Sequence, residues 1–97
     1  MRSTYLITYD ICQPKRYRKV HQAMCGHGDR LQFSVFRCQL SEIELQQLKE
    51  KLWPLLNLSE DRIMVADLGP IEGRGGECLE FWGQPLSPAP RRGAVVI

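Results

Sequence analysis

Apolar positions recur every second residue in some stretches of this chain and every third or fourth in others. The order of those stretches defines a fold. Thr4–Asp10 is dominated by β-branched, aromatic and aliphatic side chains (Tyr5, Leu6, Ile7, Thr8, Tyr9), which is the chemistry of a central strand. From Pro14 to Cys25 the pattern turns helical. Pro14 suits a first helical turn, where its missing N–H leaves no bond unmade. Tyr17, Val20, His21 and Met24 make one buried stripe, and Lys15, Arg16, Arg18, Lys19 and Gln22 fall largely on the other sides. Gly26 and Gly28 stop the helix, with His27 exposed between them. In Asp29–Leu40 the alternation changes parity between Val35 and Phe36. A strand cannot change faces without a turn or bulge. Two short antiparallel strands broken near Phe33–Val35 are expected, with one long bent strand as the alternative.

Ser41 and Glu44 have the spacing of a capping box, so a second helix starts there. Leu45, Leu48, Leu52 and Leu55 form its core stripe, Glu42, Glu44, Gln47, Lys49 and Glu50 face water, and Pro54 kinks or ends it. Asn57–Asp61 is a loop and Arg62–Leu68 another strand. The Gly-rich connection Gly69–Glu77 lacks the Lys-Ser/Thr of a phosphate-binding P-loop. Cys78–Trp82 reads as a short extra strand. Three prolines then mark a linker or arm, and Ala94–Ile97 is β-prone enough to pair with an exposed edge.

This order predicts an α+β, ferredoxin-like βαββαβ domain over residues 1–83, with an extra short C-terminal strand and a Pro-rich tail over residues 84–97. Both helices lie on one face of an antiparallel sheet. The other face carries apolar and aromatic residues that need a cover, and a second copy, giving a homodimer, is the simplest one.

With 97 residues and 43% hydrophobic content, the chain makes one domain with a modest core. It has no apolar run near the ~18 residues of a membrane span, and no secretory leader, so the cytoplasm is the default location. Cys12, Cys25, Cys38 and Cys78 are widely spaced and read as free thiols. His21 and Cys25 share a helix face, four residues apart, and helix packing explains that spacing better than zinc does.

The net charge of +2 conceals an asymmetry. Residues 1–40 hold seven Lys/Arg against two Asp/Glu, whereas residues 41–80 hold four against nine. A basic front half points to a polyanionic partner, or to ordinary solvated surface charge. A carboxylate at the tip of a buried strand, beside a cation-rich helix, suits a metal ion serving a phosphate-bearing ligand. The alternative is that Asp10 only terminates the strand and helps cap the helix.

Several segments together resemble the second CRISPR-associated (Cas) protein family. They are Tyr9-Asp10-Ile11, Pro14–Val20, the run Gly28–Cys38 with Gln32-Phe33-Ser34-Val35-Phe36 at its centre, and Asp67-Leu68-Gly69. The likeness covers about Thr4 to Trp82. It implies a homodimer that scaffolds DNA for the large CRISPR integrase subunit in spacer acquisition. It also implies metal-dependent endonuclease activity on RNA or double-stranded DNA, with magnesium or manganese as cofactor. By that resemblance Asp10 is the metal ligand and catalytic carboxylate, Arg16, Arg18 and Arg30 are phosphate contacts, and Phe36 is the aromatic of the third strand. Lys15 and Lys19 join the basic helix as nucleic-acid contacts on charge. Tyr9 and Phe36 are expected at the dimer interface or in packing. A small-molecule-sensing regulatory dimer of the same fold, without nuclease activity, is the competing reading.

Overall fold

The computed structural model describes residues 1–83. The elements run β1 (Ser3–Asp10), α1 (Pro14–Cys25), β2 (Asp29–Gln32), β3 (Val35–Leu40), α2 (Glu42–Leu52) and β4 (Arg62–Pro70). They make an antiparallel sheet in the order β2-β3-β1-β4, the expected ferredoxin-like arrangement. β1 lies inside the sheet, with Tyr5 opposite Cys38 on one side and Asp67 on the other.

Strand alternation sorts the residues of β1. Tyr5, Ile7 and Tyr9 are buried with Phe36, Cys38 and Leu40 of β3, Val20 and Met24 of α1, and Leu48 and Leu52 of α2. The odd positions of β1 therefore face the helices, and Leu6, Thr8 and Asp10 face the other way. The parity change between Val35 and Phe36 is resolved by a tight turn. Phe33 and Ser34 leave the ladder, and Phe33 projects with 70% of its surface exposed.

Both helices begin on sequence signals. Gln13 accepts a hydrogen bond from the Arg16 N–H at the start of α1, one residue ahead of Pro14. At α2 the capping box is complete. Ser41 Oγ accepts from the Glu44 N–H (3.1 Å), and Glu44 Oε1 accepts from the Ser41 N–H (2.8 Å). That bond, and then Arg2 at 2.7 Å, holds the Glu44 carboxyl below its usual range. Ser41→Ala is expected to lower stability by about 1 kcal/mol, measured as a shift in the urea midpoint at unchanged m-value. α2 stops at Leu52, and Trp53–Leu55, which contains Pro54, continues as a single 3-10 turn.

Gly28 makes a close approach rather than a helix stop. A Cβ there would meet the Arg37 carbonyl oxygen at 2.5 Å and Cys38 Sγ at 2.6 Å.

Three expectations need correction. Cys78–Trp82 forms no strand. His27 is half-buried, its Nδ1 2.8 Å from the Ala23 carbonyl. The face away from the helices carries aliphatic residues (Leu6, Val35, Met64, Ala66) without the expected aromatics, because Tyr5, Tyr9 and Phe36 all point into the core. At one end of that face the segment around Gly75 folds over the sheet and buries Thr4, whose hydroxyl donates to the Gly75 carbonyl (2.7 Å). Among the described residues no helix is long and apolar enough to cross a membrane. The tail over residues 84–97, including the strand expected at Ala94–Ile97, lies outside the described residues.

Candidate functional site

Asp10 is the last residue of β1 and is exposed. Its register partner is Arg62, the first residue of β4. The two side chains therefore emerge on the same face of the sheet, the one without helices. None of the ion pairs among the described residues involves Asp10, so its carboxylate is turned to solvent.

The predicted phosphate contacts separate into three groups. Lys15, Arg18 and Lys19 are all exposed. Their spacing of three and four residues lines them along one side of α1. Arg30 stands on β2 opposite Phe36, on the helix side, with its guanidinium 5.0 Å from the centre of the Phe33 ring.

Arg16 is committed inside the chain. Its Nε donates to Asp61 Oδ2 (2.7 Å), and its Nη2 donates to Asp61 Oδ1 (3.2 Å) and Glu60 Oε1 (2.9 Å). The Asp61 side chain has no solvent exposure. It also accepts from the Asn57 N–H (2.9 Å) and the Cys12 N–H (3.2 Å). Arg16 first, and then these backbone donors, hold the Asp61 carboxyl down at about 2. The clamp ties the loop after Asp10 to the loop before β4, and thereby fixes where β1 ends.

Two arginines on the sheet's open face went unremarked in the sequence: Arg62 beside Asp10, and Arg37, which is opposite Leu6 and 3.3 Å from Asp29. No signal in the sequence pointed to Arg62, because its place beside Asp10 depends on the β1–β4 register.

Tyr9 and Phe36 are core residues, 5% and 1% exposed, with ring centres 6.1 Å apart. Their faces are closed to a nucleic-acid base. Burial raises the Tyr9 hydroxyl well above the usual tyrosine value. Tyr17 bridges outward from this core, lying against Tyr9 (5.5 Å), Phe33 (5.4 Å) and His21 (5.8 Å).

Among the described residues no group of three or more His, Cys, Asp or Glu side chains forms a metal cage. A magnesium ion is commonly held by one or two carboxylates with water and substrate phosphates. Among the described residues one copy of the chain offers a single carboxylate here, Asp10, the lower end of that range.

The family model described as CRISPR associated protein Cas2 matches residues 3–71. The chain is similar, at 31% identity over 99% of its own length and 100% of the relative's, to the CRISPR-associated endoribonuclease Cas2 of Geobacter sulfurreducens. A Thermus thermophilus relative bears the name CRISPR-associated endonuclease Cas2 2 and is 34% identical over 72% of this chain and 74% of its own. The crystal structure of Streptococcus pyogenes Cas2 superposes with a TM-score of 0.71 at 29% identity, over 82% of this chain and 99% of that one.

Proposed function

Because the chain belongs to the CRISPR associated protein Cas2 family, we propose that it binds nucleic acid as a cytoplasmic homodimer in CRISPR spacer acquisition and hydrolyses phosphodiesters with a divalent metal. The observation that carries this reading is the solvent-facing Asp10 at the end of β1, with Arg62 beside it and the exposed cations of α1 following five to nine residues later. In the proposed dimer the two copies of Asp10 approach a shared axis and together complete the donor set for magnesium or manganese. The metal would supply charge stabilisation on the scissile phosphate. Lys15, Arg18, Lys19, Arg30 and Arg62 would hold the phosphate backbone without reading sequence. Relatives named as endoribonuclease and as endonuclease support nuclease activity; RNA and double-stranded DNA are the two substrates proposed.

A second reading, a scaffold that holds DNA for the large integrase subunit, is favoured by a different observation. Each copy carries the whole exposed α1 stripe of Lys15, Arg18 and Lys19, and that surface needs neither a metal nor a second carboxylate.

Both readings require phosphate-driven binding. Arg18→Glu combined with Lys19→Glu is expected to weaken duplex affinity at least about tenfold and to flatten its salt dependence between about 50 and about 200 mM, read by fluorescence anisotropy. Wild-type affinity that ignores salt would overturn the phosphate-binding reading. The nuclease reading is tested on single-stranded RNA and duplex DNA, with Mg²⁺ and after chelation. It fails if neither substrate is cut with Mg²⁺ present.

A further inference from the structure

α1 carries a second constellation, on the helix side of the sheet and apart from Asp10. His21 Nε2 lies 3.5 Å from Cys25 Sγ, one turn further along the helix, and His21 Nδ1 lies 2.8 Å from the Tyr9 hydroxyl. The imidazole is fixed by its neighbours. Tyr17 stacks on it with ring planes 10° apart, and Phe36 packs against it with ring planes at 63°. Cys25 is the last residue of the helix and its thiol is exposed.

From this geometry we propose that Cys25 is a reactive thiol, with His21 as its proton acceptor, and a site for exchange with low-molecular-weight disulfides.

In the tautomer with its proton on Nδ1, His21 donates to the Tyr9 hydroxyl and presents the Nε2 lone pair to Cys25. The Tyr9 hydroxyl, 2.8 Å away, is placed to accept that bond. The groups facing the imidazole are Tyr9 from β1, Phe36 from β3, Tyr17 and Cys25 from α1, and Arg30 from β2. Burial first, and then the Arg30 charge, lower the His21 pKa, which keeps the ring uncharged and its Nε2 lone pair open, so the proton it takes from Cys25 is held only briefly. The Cys25 proton passes to Nε2, and the thiolate attacks one sulfur of the disulfide. A new S–S bond forms to Cys25 as the old one breaks. The departing thiolate takes the proton from the imidazolium and leaves as a thiol. The Cys25 sulfur is oxidised and the released sulfur is reduced, with no other oxidant needed.

The remaining cysteines are internal standards. Cys12 is also exposed but its thiol donates to the Glu60 carbonyl (3.2 Å). Cys38 is buried, and burial pushes its thiol up to about 11. Cys78 is half-exposed.

The test is the rate of reaction of the full chain with 5,5′-dithiobis(2-nitrobenzoate) between pH 5 and pH 8, with each site resolved by mass spectrometry. Cys25 is expected to react about tenfold faster than Cys12 at neutral pH. His21→Gln should bring Cys25 down to the Cys12 rate and leave Cys12 and Cys78 unchanged. Tyr9→Phe keeps the ring packing, frees Nδ1 and should slow Cys25 alone, so it serves if the His21 variant does not fold. Equal rates at Cys25 and Cys12, or a Cys25 rate indifferent to both substitutions, would overturn the proposal. No nucleic acid enters the measurement, so this outcome is separable from the phosphate-binding result.

Discussion

Asp10→Asn is expected to lower metal-dependent hydrolysis at least about 100-fold, the scale of several kcal/mol of lost charge stabilisation. Folding and nucleic-acid affinity should be nearly unchanged. The reasoning is local. Asp10 takes part in none of the ion pairs among the described residues, and it sits exposed at the end of its strand, so the isosteric amide leaves the sheet intact. Removing a negative charge beside Arg62 should make the surface slightly more attractive to phosphate. The measurement pairs a cleavage time course with a melting curve and a binding isotherm on the same preparation. Equal cleavage by the variant and the wild type would assign the hydrolysis to another residue or a contaminant. Loss of the fold would show that Asp10 works by capping its strand.

Arg16→Ala should reduce the melting temperature at neutral pH on the order of 10 °C, because it leaves a fully buried carboxylate without its partner charge. The effect has a characteristic pH dependence. The Asp61 carboxyl is held at about 2 in the folded chain, below its usual 3.8. The stabilisation it provides is therefore complete above pH 3.8 and is lost as the pH falls toward 2. The difference between wild type and variant should be constant from neutral pH to about pH 5, then close as Asp61 is protonated. Thermal melts at a series of pH values read this directly. An undiminished difference at the acid end would mean that Arg16 acts through packing and not through Asp61. An Arg16 that mainly served an external phosphate would give almost no change in melting temperature.

The sequence carried most of this fold because its punctuation is chemical. Pro14 and the Ser41–Glu44 pair mark helix starts by what their backbone and side chains do for unpaired N–H groups, and both helices begin there. The parity change at Val35–Phe36 called for a turn or a bulge, and it is the turn that is present. The reading failed where local chemistry permits a state but does not supply a neighbour. Cys78–Trp82 has strand-forming residues and finds no ladder among the described residues. Arg16 looked like a solvent-facing cation because its partner Asp61 lies 45 residues away, a pairing that helix periodicity cannot register. Asp10 was legible as a strand-end carboxylate. Arg62 beside it became visible only once the β1–β4 register was known.

The sheet order also bears on how the chain reaches its native state. β1 leaves the ribosome first, yet both of its neighbours, β3 and β4, are encoded far downstream. The local hairpin of β2 and β3 closes over a short loop, whereas seating β1 between β3 and β4 means closing two long ones, an entropic toll that slows folding. A nascent chain stalled before β4 would hold β1 with one side unpaired and its apolar run open to wrong partners. Emergence of β4 from the exit tunnel should therefore be the step that commits this domain to its structure.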